Sequence, residues 1–333
     1  MTLRFISSSA EVSRETGGEL GGAILGEPGS GVTAAWPEQR IFAPLLGSTS
    51  AVIREAWLTD QPVTSGQSEG IAWRRAGDLL FGAIELDEAD FPDSAPCSSL
   101  QAASQEAYRR IFRLLDAEQL PQLWRVWNYL AAINLEIQGL ERYRQFNIGR
   151  QDAFLECHRG ATGNVPAACA IGLAGGPLSI AFMAGASPAV ALENPRQVSA
   201  YDYPAAYGPR SPTFSRGALA YLPGQEILFI SGTASIVGHQ TVHPEDVAGQ
   251  CRECMANIDA VLGEANRLRR SPRFGLDELA YRVYVRDAGD FQLIRKTMNA
   301  LIGGAEIVYV QADICRHDLL LEIEAHAMHA LEN

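Results

Sequence analysis

Two segments of the chain are rich in side chains that bind carboxylates. Residues 143–150 read Tyr-Arg-Gln-Phe-Asn-Ile-Gly-Arg, and residues 207–216 read Tyr-Gly-Pro-Arg-Ser-Pro-Thr-Phe-Ser-Arg. A guanidinium group can hold a carboxylate through two parallel hydrogen bonds, and tyrosine hydroxyls can complete the contact. Any one of these arginines alone is better explained as a solvated or helix-paired residue. Together, the two segments predict a site for an anionic small molecule.

Glu322 is the candidate for proton transfer. It lies in the apolar run Leu-Leu-Leu-Glu-Ile-Glu at residues 319–324, which is typical of a buried strand, and Glu324 follows two residues later. Burial and a second negative charge both favour the neutral carboxyl and therefore raise its pKa. A carboxyl group of this kind can act as a general acid. The alternative interpretation is an ion-paired strand residue near a sheet edge.

Other motifs are better explained by packing. The CxxC segment 251–254 has no second cysteine pair at zinc-ribbon spacing, and both of its cysteines fall on the apolar stripe of a predicted helix. The histidine pairs at 239/243 and 326/329 have no adjacent carboxylate in a known ligand pattern. The glycine-rich stretch 172–185 lacks both common phosphate-binding arrangements. We therefore predict no metal.

The chain contains two diverged copies of one structural unit. Each copy has a strand, an amphipathic helix, an aromatic and β-branched strand, a second helix and two short apolar strands. The predicted elements of the first copy lie at residues 78–84, from Ser98 onward, 123–127, 139–154, 167–173 and 178–184. Those of the second lie at residues 226–232, 247–261, 280–284, 291–301, 306–312 and 319–325. We predict an α+β fold of two tandem domains, residues 1–193 and 194–333, each a mixed sheet covered by helices on one face.

Composition narrows the function classes. The 333 residues carry a net charge of -12, which argues against a general nucleic-acid surface. The start of the chain has no sustained apolar stretch of the secretory type. Residues 165–192 are uncharged, but Gly-Gly-Pro at 175–177 interrupts them, so a buried hairpin is favoured over a membrane span. Six cysteines without a signal peptide do not predict a disulfide framework. We expect a cytoplasmic protein with no nucleic-acid or membrane partner.

From about Val198 to its end, the chain resembles the RidA/YjgF family, small α+β proteins whose clefts handle carboxylate-bearing metabolites. The segments 203–209, 227–235 and 321–325 carry this resemblance. RidA proteins are trimers with clefts between subunits, whereas tandem copies can make some of those contacts within one chain. The resemblance therefore implies a monomer or a homotrimer.

Nearly the whole chain resembles the chorismatase family, enzymes that release pyruvate from chorismate on a RidA-like fold. The segments 143–150 and 207–216, taken with Glu322, carry this second resemblance. Chorismate has two carboxylates, so its site needs two cationic clamps and an acid that protonates the enol-ether methylene carbon. The resemblance implies Glu322 as the general acid and requires no cofactor. The implied substrate-binding residues are Tyr143, Arg144, Asn147, Arg150, Tyr207, Arg216, Thr233, Ala234, Gly238 and Arg295.

The residue at position 315 indicates which product the enzyme forms. In this family either water adds and a dihydroxycyclohexadiene carboxylate is released, or the neighbouring ring hydroxyl displaces the enolpyruvyl oxygen and the ring aromatises to 3-hydroxybenzoate. Some members also form 4-hydroxybenzoate. A cysteine at position 315 resembles the hydroxybenzoate-forming branch. Its expected role is to fill space that water would otherwise use, or to relay a proton during aromatisation.

Two alternatives stay open. In RidA-like enamine/imine deaminases, an arginine shortly before the closing Glu-Ile-Glu-Ala strand holds the substrate carboxylate. Alignment on residues 322–325 places Ile314 at that position, and we expect Arg316 to lie one register away from the cleft. Deaminase activity is therefore disfavoured. The other alternative is a protein that binds chorismate or a 2-keto acid without turnover.

Overall fold

Three β-sheets surround a shared apolar core in the computed structural model, which describes residues 1–9, 18–27, 34–93 and 97–332. The first sheet has the strand order β1-β4-β2-β3, in which only the pair β2–β3 is parallel. This separate sheet was not predicted from the sequence. Its strands are β1 (Leu3–Ser8), β2 (Glu19–Gly26), β3 (Glu38–Ile41) and β4 (Val52–Thr59).

The second sheet has six strands in the order β11-β8-β12-β7-β6-β5, and two helices cover one of its faces. A two-stranded ribbon, β9–β10, precedes its second helix. The elements are β5 (Thr64–Ser68), β6 (Ile71–Ala76), β7 (Leu79–Leu86), α1 (Ser99–Ala117), β8 (Gln122–Ala131), β9 (Glu136–Ile137), β10 (Leu140–Glu141), α2 (Arg142–Glu156), β11 (Ala167–Leu173) and β12 (Leu178–Gly185).

The third sheet also has six strands, in the order β13-β14-β15-β20-β18-β19, and again two helices cover one face. A short ribbon, β16–β17, follows β15. The elements are β13 (Val190–Leu192), β14 (Gly217–Leu222), β15 (Gln225–Thr233), β16 (Ile236–Val237), β17 (Gln240–Thr241), α3 (Val247–Leu268), β18 (Ala280–Val285), α4 (Phe291–Ile302), β19 (Ile307–Gln311) and β20 (Leu321–Ala330).

The second and third sheets share one connectivity. The strand order β11-β8-β12-β7-β6 of the second corresponds to β19-β18-β20-β15-β14 of the third. The registers correspond as well, because Tyr129 of β8 faces Ser179 of β12 and Tyr284 of β18 faces Glu322 of β20. The predicted α+β class with two tandem units is confirmed.

One expectation about the second sheet is wrong. Residues 165–192 do not form a hairpin, because β8 lies between β11 and β12 and pairs with both. The helix α2 connects β8 to β11, and a crossover of this kind makes the two strands parallel rather than antiparallel neighbours. The uncharged stretch therefore contains two separate buried strands, β11 and β12, followed by the short strand β13. None of the helices in the described ranges combines the length and apolar character that crossing a bilayer requires.

Apolar periodicity accounts for the helices. The α1 positions Leu100, Ala107, Ile111 and Leu114 are all buried against the second sheet. Ser98 begins this helix by accepting a hydrogen bond from the backbone N–H of Gln101 at 3.2 Å. The predicted packing role of the cysteines at 251 and 254 is confirmed, because both are fully buried between α3 and the third sheet.

Aromatic rings join the three sheets at the centre. The ring centroid of Trp57 in β4 lies 6.5 Å from that of Trp127 in β8 and 5.9 Å from that of Phe229 in β15. The boundary between residues 1–193 and 194–333 stays a prediction. The strand β13 ends at Leu192 yet pairs with β14, so we propose that the C-terminal unit begins before β13.

Candidate active site

Eight of the twelve predicted site residues line an open cleft between the second and third sheets, with an empty volume of about 750 Å³. One wall comes from α2 and β11. The other comes from the segment 203–216, the end of β15 and β20. The lining residues are Glu141, Tyr143, Arg144, Arg150, Ala168, Cys169, Ala170, Tyr203, Tyr207, Pro212, Phe214, Arg216, Gly232, Ala234, Ile236, Cys315, Arg316 and Glu322.

Glu322 is buried on β20, with 4% of its surface exposed, and its carboxyl lines the cleft. Burial raises its pKa to about 8, and the negative charge of Glu324 adds to this increase. The positive charges of Arg125 and Arg216 oppose the rise in pKa, as does a hydrogen bond from Cys315. Glu322 is therefore mainly protonated at neutral pH, which is the state that a general acid needs.

Gly232 makes room for this carboxyl group. A Cβ atom at position 232 would overlap Oε1 of Glu322 and would lie 3.1 Å from Cβ of Cys169. Only glycine therefore fits beside the acid without moving it. Neither Gly232 nor Cys169 was among the predicted site residues, and Cys169 has no distinguishing signal in an apolar strand.

Cys315 lies beside the acid. Its Sγ is 3.9 Å from Oε2 of Glu322. Burial raises the pKa of the Cys315 thiol to about 12, and the carboxyl of Glu322 adds to the increase. The group is therefore a neutral thiol in the cleft and not a nucleophilic thiolate.

Arg150 and Arg216 face the cleft from opposite walls. Nη2 of Arg150 donates to Oδ1 of Asn147 at 2.7 Å, and its guanidinium lies 5.0 Å from the ring centroid of Phe146. Nη2 of Arg216 donates to the hydroxyl of Tyr203 at 2.8 Å. The Nε groups of both arginines are buried without a hydrogen-bond partner. Both arginine side chains line the cleft, so their guanidinium groups can bind an anionic ligand there.

Arg316 also lines the cleft, so the expectation that it faces away is wrong. Its guanidinium lies 4.2 Å from the ring centroid of Tyr207, and Nη1 donates to the carbonyl of His239 at 2.9 Å. Residues 315–318 form a bend and a turn, so an alignment anchored on residues 322–325 of β20 does not fix where their side chains lie. Ile314 is fully buried in the core.

The remaining predicted residues divide into two groups. Tyr143, Arg144, Tyr207 and Ala234 line the cleft, and Arg144 pairs with Glu141 at 3.4 Å. Burial raises the pKa of Tyr143, which keeps its hydroxyl protonated.

Asn147, Thr233, Gly238 and Arg295 do not line the cleft. Asn147 instead orients Arg150, Thr233 donates to the carbonyl of Ser231 at 2.7 Å, and Gly238 has a positive φ of 59° between β16 and β17. Placing Arg295 in the site was incorrect. Ile294 of α4 packs on the sheet, and the helical rotation to the next position turns Arg295 to solvent.

Some residues of the cleft were not predicted. Tyr203 and Phe214 sit within the segments that the sequence analysis quoted, and both contact Arg216 through their rings, at 5.6 and 5.3 Å from its guanidinium carbon. Their position beside predicted arginines was the available signal. In the described part of the chain, no group of three or more histidine, cysteine, aspartate or glutamate side chains could hold a metal ion.

Comparison with known proteins identifies the family. Residues 55–184 match the family model for the N-terminal region of FkbO/Hyg5-like chorismatases. The chain is 36% identical to a 3-hydroxybenzoate synthase of Streptomyces hygroscopicus over 88% of this chain and 86% of that protein. It is 39% identical to a chorismatase of Streptomyces rapamycinicus over 81% of this chain and 80% of that protein. The chain belongs to the chorismatase family.

A crystal structure of a chorismatase shows the same architecture. It superposes on this chain with a TM-score of 0.86 and 32% identity, covering 99% of this chain and 98% of the other. The chorismatase family thus accounts for the whole described fold, including the first sheet. It also agrees with the resemblance carried by the segments 143–150 and 207–216, which both contribute to the cleft.

Proposed function

We propose that this chorismatase cleaves the enolpyruvyl ether of chorismate to pyruvate and 3-hydroxybenzoate. The observation that carries the proposal is the protonated, buried carboxyl of Glu322 in a cleft lined by Arg150 and Arg216, neither of which forms an ion pair with a carboxylate of the described residues. A dianionic substrate supplies the missing acceptors, and the carboxyl supplies the proton.

The charges of the cleft suit a dianion. Arg150, Arg216 and Arg316 form no ion pair with a carboxylate among the described residues, whereas Arg144 is paired with Glu141. The neutral state of Glu322 leaves the cleft positive overall. Tyrosine hydroxyls at 143, 203 and 207 can complete the hydrogen bonding around bound carboxylates.

The reaction balances within the substrate. Glu322 donates its proton to the methylene carbon of the enol ether, and the adjacent ring hydroxyl attacks the ring carbon that carries the ether oxygen. That carbon–oxygen bond breaks, its electron pair stays on the oxygen that becomes the pyruvate carbonyl, and the hydroxyl proton returns to Glu322. The attacking oxygen then bridges two ring carbons. Its bond to the carbon that first carried the hydroxyl breaks, the other carbon loses its C–H proton as the ring aromatises, and the oxygen is protonated to give the hydroxyl of 3-hydroxybenzoate. No oxidant, reductant or cofactor enters the sequence.

Cys315 supports the hydroxybenzoate branch. The identities to the 3-hydroxybenzoate synthase and to the chorismatase, 36% and 39%, do not discriminate between the products. The neutral thiol of Cys315 occupies the cleft at 3.9 Å from the acid and so fills space beside the reacting atoms. A site that excludes water leaves the ring hydroxyl as the available nucleophile.

Both walls of the cleft come from one chain, which supports a site that is complete in a monomer and does not require a homotrimer. The cysteines of the described residues are free thiols, which supports a reducing compartment such as the cytoplasm.

Incubation with chorismate tests the proposal. We expect equal amounts of pyruvate and 3-hydroxybenzoate, measured by an enzymatic pyruvate assay and by chromatography of the aromatic acids. The Glu322→Gln variant, purified in the same way, controls for contaminating activity. Pyruvate with the hydrated diene would instead assign the hydrolytic branch, and pyruvate with 4-hydroxybenzoate a mixed branch. No pyruvate from a protein that binds chorismate would reject catalysis.

A further inference from the structure

Four buried charged side chains join all three sheets next to the acid. Glu55 of β4 pairs with Arg282 of β18, and Nη1 of Arg282 lies 3.0 Å from Oε1 of Glu324 in β20. Arg125 of β8 pairs with the other oxygen of Glu324. Each of the four side chains is at most 10% exposed. Charges buried this deeply are weakly screened, so they act strongly on neighbouring groups.

Glu324 is fixed on the same face of the sheet as Glu322. Residues two apart on a strand point to the same side and lie roughly 7 Å apart. Besides its two arginine partners, Glu324 accepts a hydrogen bond from the hydroxyl of Tyr284 at 3.1 Å. The tyrosine is held in turn by Tyr129, at an oxygen–oxygen distance of 2.5 Å. The carboxylate therefore has one fixed position.

We infer that Glu324 is a positioning residue of this enzyme, whose carboxylate, held by Arg125 and Arg282, keeps Glu322 in its acid form between turnovers. This inference rests on the proposed function, in which Glu322 is the general acid. The inference gives this cluster of charged side chains a role in catalysis. Buried ion pairs contribute little to stability, so joining the three sheets does not by itself explain why four charges are buried here.

The groups facing Glu322 leave Glu324 as its negative neighbour. Burial raises the pKa of each thiol near the acid and that of the nearby tyrosine, so these groups are neutral. The charged groups with the largest effects on Glu322 are thus Glu324 on one side and two arginines on the other. The titratable and charged groups around Glu322 are Cys169 of β11, Cys254 of α3, Cys315, Tyr143 of α2, Tyr284 of β18, Arg125 of β8, Arg216 and Glu324, and burial raises the pKa of Tyr284 as well.

Two substitutions test the inference because they shift the pH profile in opposite directions. The alkaline limb of kcat/KM marks the pH at which Glu322 loses its proton. Glu324→Gln removes a negative neighbour, so the limb should move about one unit lower. Arg125→Gln removes a positive neighbour and leaves Glu324 paired with Arg282, so the limb should move higher. A cluster with a purely structural role would reduce activity without opposite shifts.

Glu226→Gln is the matched control. Glu226 is a fully buried glutamate of β15 that pairs in register with His329 of β20. Because His329 is seven residues from Glu322 along the strand, Glu226 is roughly 23 Å from the acid. Its substitution should leave the alkaline limb in place. If Glu324→Gln fails to fold, Arg125→Gln decides alone. An unshifted limb, or limbs shifted in the same direction, would overturn the inference.

Infrared titration separates this inference from the proposed reaction. The carbonyl band of a protonated buried carboxyl can be assigned to Glu322 by its loss in Glu322→Gln, and its midpoint needs no substrate. Opposite shifts of this midpoint in a protein that does not cleave chorismate would retain the role of Glu324 and reject the reaction. Cleavage of chorismate with unshifted midpoints would retain the reaction and reject the role of Glu324.

Discussion

The carboxyl of Glu322 occupies the space in which a side chain at Gly232 would begin. A Cβ atom built on Gly232 overlaps Oε1 of Glu322, so β15 approaches the acid as closely as backbone can. This contact fixes one side of the carboxyl. On the other side, Sγ of Cys315 lies 3.9 Å from Oε2 of Glu322. The carboxyl that we propose as the proton donor therefore lies between a strand and a thiol.

Gly232→Ala should displace the acid. We expect kcat to fall at least about tenfold, because small errors in the position of a catalytic group are costly, while the fold survives with a loss of about 1 to 3 kcal/mol from overpacking. Gly263→Ala is the control, since nothing lies within 4 Å of a Cβ atom at that helical position. That variant should keep full activity. A Gly232→Ala enzyme with normal kcat would show that the contact is unimportant.

Glu322→Gln should abolish pyruvate release and retain chorismate binding. The amide keeps the size of the side chain and lacks a transferable proton, and general acid catalysis contributes ~100 to 10,000-fold. Calorimetric binding and a pyruvate assay on the same preparation measure the two effects. Activity within a few-fold of the wild type would remove Glu322 from its role.

Arg150→Ala and Arg216→Ala should each weaken chorismate binding. Truncating one partner of a buried charge pair costs roughly 2 to 5 kcal/mol, which is a rise in KM of about 30- to 5,000-fold. Arg295→Ala is the matched control, because Arg295 is exposed on α4 and outside the cleft. Equal KM values for all three variants would show that the clamps lie elsewhere.

Cys315→Ala should change the product. Removing the thiol opens space next to Glu322 for a water that has polar partners in the cleft, so the aromatic product should decrease and the hydrated diene increase. Pyruvate release should continue at a reduced rate, because the acid is retained. Cys251→Ala, in the core beneath α3, should lower stability and leave the product unchanged. An unaltered 3-hydroxybenzoate fraction in active Cys315→Ala enzyme would reject this role.

Stability should fall as pH rises through the neutral range, and Glu322 should account for part of the slope. Its pKa is about 8 in the folded protein against an ordinary value of 4.5, so the folded state binds more protons between these values. The associated stability is complete below pH 4.5 and is lost as the pH rises through 8. The melting temperature of Glu322→Gln relative to wild type should therefore increase with pH. A constant difference would contradict the raised pKa.

The sequence was most informative where one pattern determines one structure. The strand predicted at residues 167–173 coincides with β11, and the apolar stripe of α3 is buried as expected, because strand and helix periodicities leave few alternatives for such runs. The first sheet was missed because its strands are short or rich in glycine and polar residues, as β3 with its sequence Glu-Gln-Arg-Ile shows. Its stability comes from contacts with the other sheets, which local patterns do not record.

At the site, too, local sequence patterns were informative and contacts between distant strands were not predictable. Tyr143, Arg150, Arg216, Cys315 and Glu322 meet in one cleft, as their density of carboxylate-binding and acidic groups suggested. Arg316 was misplaced because the alignment on residues 322–325 was extended back through a bend and a turn. Glu324 was seen as a charge neighbour of Glu322, but its partners Arg125 and Arg282 come from strands far away in sequence. Only the assembled sheets bring these charges together.

The shared connectivity of the two six-stranded sheets has a consequence for stoichiometry. At the register position where β20 carries Glu322, facing Tyr284, β12 carries Ser179, facing Tyr129. Ser179 accepts a hydrogen bond from Nε2 of Gln39 at 3.3 Å, so the first sheet covers the equivalent position. A serine hydroxyl is far too weak an acid to protonate carbon. In the proposed reaction, Glu322 is therefore the proton donor across these two equivalent positions, and we expect one turnover centre for the two described repeats.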